Sequence, residues 1–165
     1  MAGPVCRSSF ALQKSEMGQE TIAIAGAERK MGSVISRRLL RLHHYRILLL
    51  SEKEDGLTGL PDLLHQEPGS DIEQVNCLKD GCWEADIIVL DVPPASFRET
   101  AEKIREVSTQ KTVFILSSRE EGQPAPGECL KAWQDLLPNA KPVLGFRTYP
   151  EDSGMSLSGA DKESL

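Results

Sequence analysis

The chain has 165 residues, of which 39% are apolar and 27% charged, enough for one domain with a hydrophobic core and ordinary for a globular protein. Its net charge of −6 gives no general attraction to nucleic acid or anionic lipid. No apolar run approaches membrane-spanning length, and residues 1–20 lack the apolar centre of a secretory signal, so the expectation is a cytoplasmic protein with neither a nucleic-acid nor a membrane partner.

Residues 1–19 read as a flexible lead-in. Residues 21–25 (TIAIA) are short, apolar and β-branched with a glycine behind them, which predicts a buried strand running into a turn. Met31, Val34, Ile35, Leu39 and Leu42 then recur at offsets of three and four, predicting a helix over 31–42 with these residues on its inner face. On that helix Arg37, Arg38 and Arg41 read as a solvated face, and His43 and His44 behind it as cations favourable to its C-terminal dipole. Residues 47–50 predict a second buried strand, ended by the polar run SEKEDG.

Residues 57–65 suggest a short helix broken by Pro68 and Gly69, and residues 71–75 a strand. Residues 86–90 (DIIVL) predict a strand stopped by Pro93 and Pro94. Asp91, at its end, is placed either to contact a ligand or to cap the next segment. Phe97, Ala101, Ile104 and Val107 mark a further helix face, and residues 112–116 (TVFIL) a further strand. After a Gly/Pro-rich loop over 118–127, Leu130, Trp133, Leu136 and Leu137 suggest a helix ended by Pro138, and 143–146 a last short strand. Trp83 and Trp133 read as core or half-buried packing residues. The expected division is a lead-in over 1–19, a folded domain over 20–150, and a last strand or turn with a loose tail over 151–165.

Apolar strands alternating with helices predict an α/β fold: a doubly wound parallel sheet covered on both faces. The four cysteines (Cys6, Cys77, Cys82, Cys129) have no C-x-x-C spacing, and His43, His44 and His65 complete no ligand set. Neither a metal site nor a disulfide framework is expected.

The chemistry-bearing segment is Gly26-Ala27-Glu28-Arg29-Lys30-Met31-Gly32, between the first strand and the first helix. In G-x-G-x-x-G loops one glycine makes the tight turn, the second admits a pyrophosphate, and the third lets helix and strand pack closely. Gly26 and Gly32 fit the outer positions, but the loop is one residue longer and its middle glycine is replaced by Glu28 or Arg29. A side chain there crowds a pyrophosphate, and Glu28 repels one; Arg29 or Lys30 can offset this by donating to phosphate oxygens. The same turn also suits a fold that kept its shape without a ligand. Glu52 stands about 20 residues beyond Gly32, where an acidic residue accepts from a ribose 2′-hydroxyl and favours NAD, although a solvated turn explains it equally and Lys53 suits a 2′-phosphate. A Rossmann-like NAD(P)-binding domain is therefore expected.

Several segments in order resemble the deazaflavin-dependent NADP oxidoreductase family, which includes the cytosolic oxidoreductase domains of six-transmembrane metalloreductases. AGAERKMG is similar to its glycine loop and ILLLSEK to its second strand. ADIIVLDVPP is similar to its ADIVFLAVPP-like fourth strand and KTVFILSS to its fifth. LPNAKPVLGFRTYP and MSLSGADKES follow in the family's order, so the resemblance runs over about residues 20–163. It implies a dinucleotide, NAD or NADP, against Gly26 to Gly32 and against Ser51, Glu52 and Lys53. The nicotinamide end is implied near Val92, Pro93 and Pro94, and Phe146 and Arg147 on the acceptor side. The chain departs from the family in lacking the central glycine, in carrying Glu52 in place of the arginine that grips the NADP phosphate, and in Arg147 for asparagine. The family continues into further helices beyond the point matching Leu165, so the resemblance implies either a fragment or a reduced domain.

Two functions are compatible with this pattern. One is an NAD(P)-dependent oxidoreductase domain passing hydride to a flavin-like or small acceptor, with no acid or base catalyst evident. The other is a non-enzymatic Rossmann module serving as a partner or sensor domain, as a homo-oligomer or with another protein.

Overall fold

Six short strands lie side by side and all run the same way, in the order β3-β2-β1-β4-β5-β6. They are β1 (Glu20–Ala25), β2 (Tyr45–Leu50), β3 (Asp71–Val75), β4 (Ile87–Leu90), β5 (Thr112–Ser117) and β6 (Lys141–Phe146). Among the described residues four α-helices accompany them: α1 (Lys30–Arg41), α2 (Leu78–Glu84), α3 (Phe97–Ile104), entered through a 3₁₀ turn at Pro94–Ser96, and α4 (Pro126–Leu136). The computed structural model describes residues 18–42, 44–51, 57, 71–117 and 125–146. The expectations for the lead-in over 1–17, His43, Glu52, Lys53, the helix over 57–65 apart from Leu57, the loop over 118–124, Arg147 and the tail lie outside them.

The alternation of side chains along each strand divides the core in two. Ala23, Ala25, Leu48, Leu50, Ile88, Leu90, Val113 and Ile115 face one way and pack with Cys82 of α2, Ala101 and Ile104 of α3, and Trp133 of α4. Ile22, Ile24, Ile47, Leu49, Ile72 and Val89 face the other way and pack with Leu40 of α1 and with Leu57. Both faces of the central strands are therefore dry, which is why β1 and β2 are nearly continuous apolar runs. The cover thins toward β6. Phe114 and Val143 are register partners on the α1 side of the sheet and stand 37% and 40% exposed.

Four expectations are corrected. First, the residues of α1 that reach the sheet are Gly32, Ser36 and Leu40, spaced by four; Ile35 and Leu39 flank them and Leu42 is exposed. Small residues occupy the inner ridge because the helix starts against the β1 turn, while the larger apolar residues pack beside that line. Second, α2 has no counterpart among the elements expected from sequence: it is short, polar and carries Gly81 in mid-helix. A Cβ on Gly81 would stand 2.5 Å from Leu50 Cδ2, so the glycine lets this helix lie close to β2. Lys111 Nζ donates to the carbonyls of Cys82 (2.8 Å) and Trp83 (2.6 Å), satisfying acceptors at the helix end. Third, Trp83 is no core residue but 69% exposed, whereas Trp133 is buried against Phe97 with ring centroids 5.1 Å apart. Fourth, α3 ends at Ile104, and Val107 packs on the core from the turn behind it.

Among the described residues no helix is long and apolar enough to cross a membrane. Cys77, Cys82 and Cys129 are free thiols, and no three His, Cys, Asp or Glu side chains gather into a metal cluster among the described residues.

Candidate functional site

Strand order reverses between β1 and β4, so the chains leaving their carboxyl ends diverge and open a crevice there. Register places Ala25 beside both Leu50 and Leu90, so the turn at Gly26, Ser51 behind β2 and the segment 91–94 behind β4 share one sheet edge. The residues singled out on those three segments are thus brought together. Val92 is buried and belongs to the core, Pro93 is half-buried and Pro94 exposed. Phe146 ends β6, three strands from β1, roughly 14 Å along the sheet at ordinary strand spacing; its side chain lies outside the described residues, as do Glu52, Lys53 and Arg147.

The turn itself is made by backbone. Gly26 N and Ala27 N both donate to Leu50 O, at 3.1 and 3.3 Å, and Arg29 N donates back to Gly26 O at 2.9 Å. Gly26 has φ +78, a left-handed conformation that glycine adopts without strain. A Cβ there would stand 2.9 Å from the Asp91 carbonyl carbon and closer still to its oxygen. A Cβ on Gly32 would stand 3.0 Å from Ala27 Cα and closer still to Gly26 O. The two glycines thus do what the outer glycines of a dinucleotide loop do: one makes the turn, and the other lets the helix abut it. Both would be needed for this packing with or without a ligand.

The middle of the loop differs. Lys30 begins α1, so Gly32 is its third residue, and its N–H precedes any intrahelical acceptor. That N–H donates to Asp91 Oδ2 at 2.9 Å. Arg29 Nε donates to Asp91 Oδ1 at 3.2 Å, with its side chain 45% exposed. Asp91 is 7% exposed. Its carboxylate therefore caps α1 from across the crevice; it does not cap the segment that follows β4. The sequence signal for this is the Asp in ADIIVLDVPP where the similar family pattern has Ala, read together with Arg29 in the loop: two departures that form one ion pair.

Such a cap favours the helix through its N-terminal dipole, and a hydrogen bond to a charged acceptor is worth about 1.5–3 kcal/mol. It also changes the electrostatics of the crevice. A ligand anion within about 5 Å of this carboxylate meets a repulsion on the order of 3 kcal/mol per unit charge at an effective dielectric constant of about 20, before Arg29 offsets it. Glu28, half-buried where the middle glycine is absent, adds a second carboxylate, and its Oε2 is buried without a hydrogen-bond partner. Lys30 is exposed and Met31 half-buried in the first turn of α1.

A parallel sheet in this order, with a glycine turn behind β1 and a helix N-terminus at the strand-order reversal, defines a Rossmann-type α/β domain. No protein-family model matches the chain, and no curated protein does. Solved structures of Rossmann-fold dehydrogenases are similar to it. A lactate dehydrogenase from Eimeria maxima with NADH and oxamate superposes with a TM-score of 0.60 at 14% identity, over 79% of this chain and 44% of that one. A shikimate 5-dehydrogenase from Mycobacterium fortuitum gives 0.54 at 18% identity, over 78% and 45%. A bulky-bulky ketone specific alcohol dehydrogenase from Comamonas testosteroni gives 0.55 at 12% identity, over 82% and 78%. The chain thus spans less than half the length of the first two. At these identities the likeness is one of fold.

Proposed function

We propose that the chain is the dinucleotide-binding domain of an NAD(P)-dependent oxidoreductase. The observation that carries the reading is the Gly26–Gly32 turn at the point where strand order reverses, facing Ser51 and the 91–94 segment across one crevice. Gly26 and Gly32 keep the turn close, the pyrophosphate lies toward the first turn of α1, where Lys30 is exposed and Arg29 is held by Asp91, and Glu52, next in sequence to Ser51, takes the adenine ribose. Pro93 and Pro94 bound the nicotinamide end, with Phe146 and Arg147 toward an acceptor of flavin-like or small-molecule type. The nicotinamide supplies the hydride chemistry when bound; the chain's own residues orient it and exclude water.

The resemblance to the deazaflavin-dependent NADP oxidoreductases supports this reading in its finer form, and the fold of the similar dehydrogenases supports the coarser one. Replacing Glu52 by Arg tests the assignment. Calorimetric titration of the variant is expected to show NADPH gaining at least tenfold on NADH relative to the unchanged chain. An equal change for both cofactors would remove Glu52 from the ribose.

One observation favours a second reading. The Asp91 carboxylate, paired with Arg29, satisfies one N–H of the helix N-terminus from within, as in a module that keeps the fold and no longer turns over substrate. Such a chain serves as a partner domain, as a homo-oligomer or with another protein, and the exposed Phe114–Val143 strip is one apolar surface available to it.

A further inference from the structure

Resting on the dinucleotide reading, we infer that Asp91 is the specificity-determining residue of this crevice: it stands in for a ligand phosphate at α1 and makes the site select the nucleoside over the phosphates. Three observations meet here. The Asp91 carboxylate is almost wholly buried and occupies the Gly32 N–H, one of the free donors of the helix N-terminus. The nearest cation, Arg29, is spent on the same carboxylate. Glu28 Oε2, a carboxylate oxygen of the same loop, is buried without a hydrogen-bond partner, so no donor answers the second negative charge that a phosphate meets here.

A pyrophosphate brought to this turn finds one donor taken, one cation compensated and two carboxylates nearby. Its binding contribution is small in the unchanged chain and grows when the Asp91 charge is removed. The ligand class that follows is an adenine nucleoside, or a dinucleotide held mainly through its nucleoside ends. Asparagine at 91 is the conservative change: its side-chain oxygen still accepts from Gly32 N–H, so the cap survives while the charge goes.

The test is calorimetric titration of adenosine, ADP and NADH into the full chain and into Asp91→Asn. The expected result is that ADP binds the unchanged chain no more than threefold tighter than adenosine. In Asp91→Asn the expected gain from adenosine to ADP is at least tenfold, with NADH tightening in parallel. A tenfold or greater preference for ADP in the unchanged chain would overturn the inference while leaving the dinucleotide reading intact, as would the same ADP-to-adenosine ratio in both proteins. Absence of binding by all three ligands to both folded proteins would overturn the dinucleotide reading and the inference with it. Should Asp91→Asn fail to fold, the adenosine-to-ADP ratio of the unchanged chain decides alone.

Discussion

Replacing Gly32 by alanine separates the packing role of the loop from the ordinary behaviour of glycine in helices. Alanine is the better helix former by about 0.5–1 kcal/mol in a helix interior, so on propensity alone the change would stabilise. The structure reverses the sign. The new Cβ would lie 3.0 Å from both Ala27 Cα and the Gly26 carbonyl carbon and closer still to Gly26 O, all backbone that cannot swing aside. Relief requires α1 to move away from the turn, which costs about 1–3 kcal/mol as overpacking does elsewhere. The same movement stretches the Gly32–Asp91 hydrogen bond, putting a share of its roughly 1.5–3 kcal/mol at risk. The net expectation is a loss of about 2–4 kcal/mol, or a fall in Tm on the order of 10 °C for a domain of this size.

Gly127 supplies the control. It sits in the first turn of α4, and a methyl group added there would meet nothing within 4 Å, so Gly127→Ala is expected to raise stability by about 0.5 kcal/mol. Urea unfolding of both variants beside the unchanged chain reads the difference directly. A Gly32→Ala protein as stable as the parent would refute the close approach of helix and turn, and with it the reason given for this glycine.

Two further outcomes follow from the same contacts and from the core beside them. Asp91→Ala leaves Gly32 N–H without its acceptor and Arg29 without its partner, and is expected to cost about 2 kcal/mol in urea unfolding, with Asp91→Asn costing clearly less; equal losses would show that shape rather than the cap holds the crevice. Burial pushes the Cys82 thiol up to about 12, from a usual 9.0, with Lys111 only partly opposing it. The folded state therefore keeps a proton that the unfolded chain loses, so stability falls as pH rises from about 9 toward 12. Cys82 should resist alkylation at neutral pH until the protein unfolds, while Cys77 and Cys129, both half-buried, react earlier; mass spectrometry of native labelling that finds Cys82 modified first would contradict this.

The central strands β1, β2 and β4 were legible because each is a short apolar run buried on both faces, a pattern that survives without knowledge of neighbours, whereas β3 and β6 carry polar or exposed residues and gave a weaker signal. Their ends differ by a few residues: β6 starts at Lys141 and β2 at Tyr45, where polar or half-buried residues continue the ladder beyond the apolar signal. The inner face of α1 was legible from hydrophobicity only in part: Ile35 and Leu39 pack on the core as expected, but a helix pressed on a turn uses Gly32 and Ser36 where size matters more than apolar character. The helix α2 hides for the same reason, its Gly81 reading as a breaker although it is a packing residue against Leu50. Gly26 and Gly32 were legible as a loop, since turn geometry restricts residue type locally. Asp91 stands out at the right strand end, but local sequence points its cap at the segment behind it and not at α1. Its partners, Gly32 and Arg29, are about 60 residues away in sequence, and only the β1–β4 pairing brings them together.

Whether a nicotinamide dinucleotide binds where β1 and β4 diverge is tested most directly by amide NMR of the full chain titrated with NADH, because it reports both binding and place. The expected result is saturable shifts at one ligand per chain, concentrated at Gly26 to Gly32, Ser51 and the Asp91–Val92 segment, with the Arg105 to Lys111 turn, which leads into β5 at the opposite end of the strands, unmoved. Shifts that never saturate, or that map to the Phe114–Val143 strip instead of the crevice, would contradict it.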